Sequence, residues 1–226
     1  MELSQTIREN KIIAIVRGIS SRHILDLADA LYEGGIVVME VTFDQTGREG
    51  IEETLKSISL LKEKRQDRIK PGAGTVLTPD QVKAAREAGA EYIITPNVNM
   101  DVIAQAKERG MTVLAGAYTP TEIELAYRAG ADIVKVFPSG AAGPDYIKAV
   151  RGPLAHIPLA AVGGVDVGNI GAFFEAGVCC AGVGGCLVNK KQIEAGNFAW
   201  ISQKAREFAK AVNRVTVYTM ANHSAD

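Results

Sequence analysis

Arg128-Ala129-Gly130-Ala131-Asp132-Ile133-Val134-Lys135-Val136-Phe137-Pro138 is the stretch that decides the fold of this chain. An amphipathic segment over 119–129 ends here, Gly130 supplies a helix C-cap, and a β-branched run over 132–137 follows at once. The same wording recurs at Glu33-Gly34-Gly35, Glu87-Ala88-Gly89-Ala90 and Glu175-Ala176-Gly177. Each unit reads helix, glycine, strand, loop, helix, which is βαβ construction with parallel strands. Expected strands cover 11–17, 36–42, 69–73, 91–95, 112–115, 132–137, 158–162 and 178–183, with amphipathic helices such as 21–33, 78–88, 100–109, 119–129 and 144–150 between them. Thr78-Pro79, Thr119-Pro120 and Gly143-Pro144 place proline in a first helical turn. Eight such units in a chain of 226 residues have the size of one (β/α)8 barrel. A doubly wound open sheet has the same local pattern and stands as the alternative. The expected division is a barrel over 1–213, preceded by a short N-terminal helix, and a polar tail over 214–226.

Composition narrows the function classes. The chain is 47% hydrophobic with a formal net charge of −1, which argues against nucleic acid or an anionic membrane as main partner. No apolar run approaches the ~18 residues of a membrane span, and the N-terminus is polar and amphipathic rather than a secretory signal. Cys179, Cys180 and Cys186 are odd in number and form no C-x-x-C, so free thiols in a reducing cytosol are expected. His23, His156 and His223 are scattered, and no metal site is expected.

Lys135 sits inside an apolar strand run. Desolvation disfavours its ammonium form, and a neutral buried amine is a nucleophile toward a carbonyl carbon. Moving its pKa from ~10.4 to near neutrality takes roughly 4–5 kcal/mol, which burial plus a nearby cation can supply. The plainer reading is a lysine that snorkels from a strand end or pairs with a carboxylate. Two further charges tilt the balance. Alternation puts Ile13, Ile15 and Arg17 on one face of the first strand, Val38, Glu40 and Thr42 on one face of the second, and Ile133, Lys135 and Phe137 on one face of the sixth. An arginine, a glutamate and a lysine converging on the C-terminal mouth of a barrel form a constellation where apolar filling is the rule.

The seventh strand ends in Val162-Gly163-Gly164 and the eighth in Val183-Gly184-Gly185-Cys186. Glycine lets backbone N–H groups approach an anion, and loops at these two positions bind phosphate across barrel enzymes. Pro71-Gly72-Ala73-Gly74-Thr75-Val76 forms a third glycine loop after the third strand.

Taken together, Ala14-Ile15-Val16-Arg17-Gly18, Met39-Glu40-Val41-Thr42, Gly72-Ala73-Gly74-Thr75-Val76-Leu77, Thr95-Pro96-Asn97, Val134-Lys135-Val136-Phe137-Pro138 and both glycine pairs resemble the class I KDPG/KHG aldolases, in family order to about Lys210. The wording around Thr95 and Phe137 looks most like the phosphogalactonate-cleaving branch. The resemblance implies a lyase that cleaves a 2-keto-3-deoxy acid to pyruvate and an aldehyde, with no cofactor and no metal, as a cytoplasmic homotrimer. It implies Lys135 as the Schiff-base residue and Glu40 as general acid/base. Arg17, Thr75, Pro96, Phe137 and Ser139 would hold the pyruvate end; Gly163, Gly164, Gly184, Gly185 and Cys186 would hold the phosphate. Two positions depart from the pattern. Some members carry arginine where this chain has Asp44, and serine is common where it has Cys186. The alternatives from other classes are a phosphate-binding isomerase or synthase, in which Lys135 acts as a charge, and a non-catalytic sugar-acid-binding barrel.

Overall fold

Closure settles the choice between barrel and open sheet. In the computed structural model, which describes residues 3–223 with side chains for 3–213, the strands are β1 (Ile12–Val16), β2 (Val38–Thr42), β3 (Lys70–Gly74), β4 (Tyr92–Ile94), β5 (Thr112–Ala117), β6 (Ile133–Val136), β7 (Leu159–Val162) and β8 (Cys180–Val183). All neighbours are parallel, and β8 pairs back onto β1 with Ile13 opposite Gly182. The layer around them is α2 (Ile24–Glu33), α3 (Arg48–Arg65), α4 (Pro79–Glu87), α5 (Met100–Glu108), α6 (Pro120–Arg128), α7 (Ser139–Arg151), α8 (Ile170–Glu175), α9 (Lys190–Glu194) and α10 (Phe198–His223). The expected N-terminal helix is α1 (Leu3–Asn10), whose buried Ile7 joins the barrel-interior cluster with Ile13, Val38, Ile133 and Cys180. The side chains of the expected polar tail, 214–226, lie outside the described residues.

The local signals act as their chemistry dictates. Thr119 and Glu122 make a reciprocal capping box at the start of α6, and Thr78 accepts from the Gln81 N–H at the start of α4. Gly130 adopts φ +105°, the left-handed conformation that ends α6 and turns the chain into β6. Gly143-Pro144 follows the expectation, with Pro144 opening the second of two helical pieces. The pair forms a kink inside α7, where Gly143 (φ +78°) interrupts the helical backbone between two shorter pieces.

Two cores follow from this layout. The larger packs helices on the outer faces of the strands; the smaller fills the barrel with Ile13, Val38, Tyr92, Leu114, Ile133 and their neighbours. Each fully buried aliphatic side chain contributes on the order of 1.5–3 kcal/mol, so the interior fixes the strands that carry the mouth.

Candidate active site

A cavity of about 770 Å³ opens at the C-terminal ends of the strands. Ile15, Arg17, Glu40, Thr75, Pro96, Lys135, Phe137 and both glycine pairs with Cys186 line it. Of the expected site residues only Ser139 is missing from its wall.

Lys135 and Glu40 point inward because their strands alternate. The residues paired with Lys135 are Gly116 on β5 and Ala160 on β7, which leave lateral room for its amine. Those paired with Glu40 are Ile15 on β1 and Gly72 on β3. Lys135 is 6% exposed and Glu40 1%. Burial lowers the Lys135 pKa; Glu40 pulls it back up and Arg17 pushes it further down. Burial raises the Glu40 pKa, against the opposing pull of Lys135 and Arg17. Burial thus favours the neutral amine, the form that adds to a carbonyl, and gives Glu40 a raised pKa, which makes its carboxylate a better proton acceptor that can later return the proton.

Room for Glu40 is made by an absent side chain. A Cβ at Gly74 would stand 1.6 Å from Glu40 Oε1 and 2.4 Å from its carboxyl carbon. Gly74→Ala is therefore expected to displace the carboxylate, lowering kcat by ~10²-fold or more and stability by about 1–3 kcal/mol. Steady-state kinetics with a denaturant midpoint checks this; wild-type values in both would mean that Glu40 has another place to go.

Around this pair the mouth is braced by hydrogen bonds. Arg17 Nη2 donates to Thr75 Oγ1 at 3.3 Å. Thr75 is held at φ +54°, a costly conformation for a β-branched residue. Its carbonyl accepts from Gln45 Nε2 at 2.8 Å, and Gln45 in turn accepts from Gln81 at 2.9 Å. The Thr95 hydroxyl donates to the Asn97 carbonyl and accepts from the Gly116 N–H, fixing the turn that presents Pro96. The Phe137 ring, 39% exposed, stands with its centroid 4.7 Å from Lys135 Nζ. Arg17 and Phe137 each lie one residue beyond their strands.

Ser139 departs from the sequence reading, and the structure also places Thr42, Asp44 and the glycine pairs. Ser139 is fully buried; its hydroxyl donates to the Val136 carbonyl (2.7 Å) and accepts from the Val162 N–H (3.1 Å), so it ties β6 to β7 rather than facing the cavity. Thr42 donates its hydroxyl to the Val16 carbonyl and is absent from the cavity wall. Asp44 also lies off that wall: its Oδ1 accepts from the N–H and hydroxyl of Thr46, capping the loop after β2. No helix begins directly at either glycine pair, since α8 starts at Ile170 and α9 at Lys190.

What the two glycine loops present to the cavity is loop backbone rather than a helix start. Gly163 and Gly164 adopt φ +84° and +78°, and the N–H groups of Gly164 and Gly185 make no hydrogen bond with other described residues. Cys186 Sγ reaches the Val165 carbonyl at 3.3 Å and so joins the two glycine loops. Sequence reasoning missed Asp166 on this wall and Tyr92 beneath it. Asp166 Oδ1 accepts from the Gly168 and Asn169 N–H groups, a local turn that its residue type signals.

Residues 3–204 match the family model for KDPG and KHG aldolase. The 2-dehydro-3-deoxy-6-phosphogalactonate aldolase of Escherichia coli (strain K12) is 37% identical over 201 residues, covering 88% of this chain and 93% of the relative. A solved native KDPGal structure superposes with a TM-score of 0.81 at 37% identity, over 91% of this chain and 95% of that one. A KDPG aldolase from Legionella pneumophila, solved with pyruvate captured at low pH as a covalent carbinolamine intermediate, superposes with a TM-score of 0.80 at 25% identity, over 91% of this chain and 97% of that one. Fold and matches define the class as a class I aldolase, a carbon–carbon lyase. The chain belongs to the KDPG and KHG aldolase family.

Proposed function

We propose that this chain reversibly cleaves a 2-keto-3-deoxy-6-phospho sugar acid to pyruvate and glyceraldehyde 3-phosphate, with Lys135 as the Schiff-base residue and Glu40 as the proton-transfer group. One observation carries the reading: a buried lysine on β6 and a buried carboxylate on β2 line the same cavity, whose far end is made of two glycine loops. Neutral Lys135 Nζ adds to the C2 ketone, and loss of water leaves a protonated imine. Glu40 accepts the C4 hydroxyl proton as the C3–C4 bond breaks; the bonding pair flows into the imine and leaves an enamine plus the aldehyde. Glu40 returns that proton to C3, and water hydrolyses the pyruvate imine to free Lys135. Arg17 binds the substrate carboxylate, a role favoured by Asp44 lying off the cavity wall. Thr75, Pro96 and Phe137 enclose the pyruvate end, and Gly163, Gly164, Gly184, Gly185 and Cys186 enclose the phosphate.

A second reading is favoured by Asp166 and Cys186 at the distal end. A carboxylate repels an anion and a thiol is a weak donor, which suits an unphosphorylated, uncharged aldehyde product. The ratio of kcat/KM for the phosphorylated and unphosphorylated acids decides between the two. By family likeness the working form is a cytoplasmic homotrimer; among the described residues, no helix is long and apolar enough to cross a membrane. The direct test is borohydride reduction with pyruvate followed by intact-protein mass spectrometry. A single reduced pyruvyl adduct mapping to Lys135 is expected, and an adduct absent or placed elsewhere would remove the lysine from this role.

A further inference from the structure

Tyr92 is fully buried, and its hydroxyl has no partner among the described residues. An unpaired buried hydroxyl costs about 1–3 kcal/mol, and such groups usually have a reason to persist. The strand register supplies one. Glu40 on β2 stands opposite Gly72 on β3, and Gly72 stands opposite Tyr92 on β4. The three form one row across neighbouring parallel strands, with Glu40 and Tyr92 both turned into the barrel.

The middle of that row is empty of side chain, and the tyrosine ring fills it. A Cβ at Gly72 would lie 2.3 Å from Tyr92 Cζ and 2.4 Å from each Cε, so the phenolic end of the ring lies over β3, beside the strand that carries Glu40. Gly74, one turn of the pleat further up β3, receives Glu40 Oε1 in the same way. The other carboxylate oxygen, Glu40 Oε2, is buried and has no partner among the described residues. Two glycines of one strand thus make room, on one face of β3, for a donor and an acceptor that each lack a partner.

We infer that Tyr92 is a positioning residue for Glu40: its hydroxyl donates to a bridging water that donates to Glu40 Oε2, and so holds the carboxylate beneath the reacting carbon. The role in catalysis rests on Glu40 being the proton-transfer group; the hydrogen bond itself does not. Other charged and titratable groups share the space. Lys135 and Arg17 act on Glu40, while Cys180 and Glu91 act on Tyr92, whose own ionisation is disfavoured by burial and by Glu40. A phenol that stays protonated remains a donor across the working pH range. The donated bond stabilises the ionised carboxylate and so partly offsets the desolvation that raises its pKa.

The experiment follows Glu40 without substrate. Difference infrared spectroscopy reads the carbonyl stretch of its protonated carboxyl, assigned by loss of the band in Glu40→Gln. Tyr92→Phe keeps the ring that fills the row and removes the donor, and is expected to move the titration midpoint up by roughly one pH unit. In kinetics the acid limb of kcat should move the same way with KM unchanged. Replacing Tyr92 with 3-fluorotyrosine, a stronger donor of similar size, should move the midpoint down. An unmoved midpoint in both variants would overturn the proposal, as would shifts in the opposite directions. Pyruvate trapping on the same samples keeps the two readings apart. An adduct with an unmoved midpoint defeats this inference alone; a missing adduct defeats the lysine assignment while the infrared result still stands.

Discussion

Lys135→Ala is expected to lower kcat/KM for cleavage by on the order of 10⁵-fold or more and to abolish the borohydride-trapped pyruvyl adduct. The covalent route is lost outright, because no other described lysine lines the cavity. The fold should survive. Lys135 is flanked by Gly116 and Ala160, and the substitution removes a desolvated amine rather than a packing element. Glu40 responds in a defined direction: the lysine lowers its pKa, so losing the lysine raises it further. Circular dichroism would establish folding, mass spectrometry the adduct, and a coupled assay the rate. A variant that folds and still cleaves at the wild-type rate would leave Lys135 an electrostatic role only, as in the isomerase or synthase alternative.

Glu40→Gln separates the two halves of the chemistry. Imine formation needs the lysine, so the pyruvate adduct should persist, while proton transfer slows and kcat falls by ~10²–10⁴-fold. The pH dependence has a sign that can be worked out. In the wild type, acid protonates both Lys135 and Glu40, so the rate falls on the acid side. Burial lowers the lysine pKa and the Glu40 charge raises it; glutamine removes the raising influence only. Lys135 therefore deprotonates at lower pH in the variant, and the midpoint of pyruvate-imine yield against pH should move down. A midpoint that rises would show that Glu40 is not the charge felt by the lysine. Stability carries a matching sign. Because the folded-state pKa of Glu40 is raised, the carboxyl supports folding at low pH and that support fades as pH climbs through the folded value. Glu40→Gln should accordingly melt higher than wild type at neutral pH.

Much of the candidate site was visible as sequence because its signals are local. A lysine within a β-branched run, and a glutamate and an arginine on one alternating face, need only the period of a strand to be read. Residues whose orientation depends on a neighbouring strand were not visible in that way. Ser139 follows the lysine strand, yet it turns inward to join β6 and β7, because both hydroxyl partners lie on those strands. Asp44 stands where some members of the family it resembles carry arginine, and its loop turns it to Thr46. Tyr92 reads as an ordinary aromatic strand residue. Its relation to Glu40 exists only through a glycine on the strand between them.

By itself, then, the sequence determined the repeated βα unit, the helix ends and the inward-facing charges, since backbone conformation and side-chain period are properties of short segments. The tertiary structure decided closure. Local hydrogen-bonding geometry is the same in an open parallel sheet and in a barrel, and only the pairing of β8 with β1 tells them apart. It also decided which polar groups meet, because parallel strands that touch in space are separated in the chain by a helix and two loops.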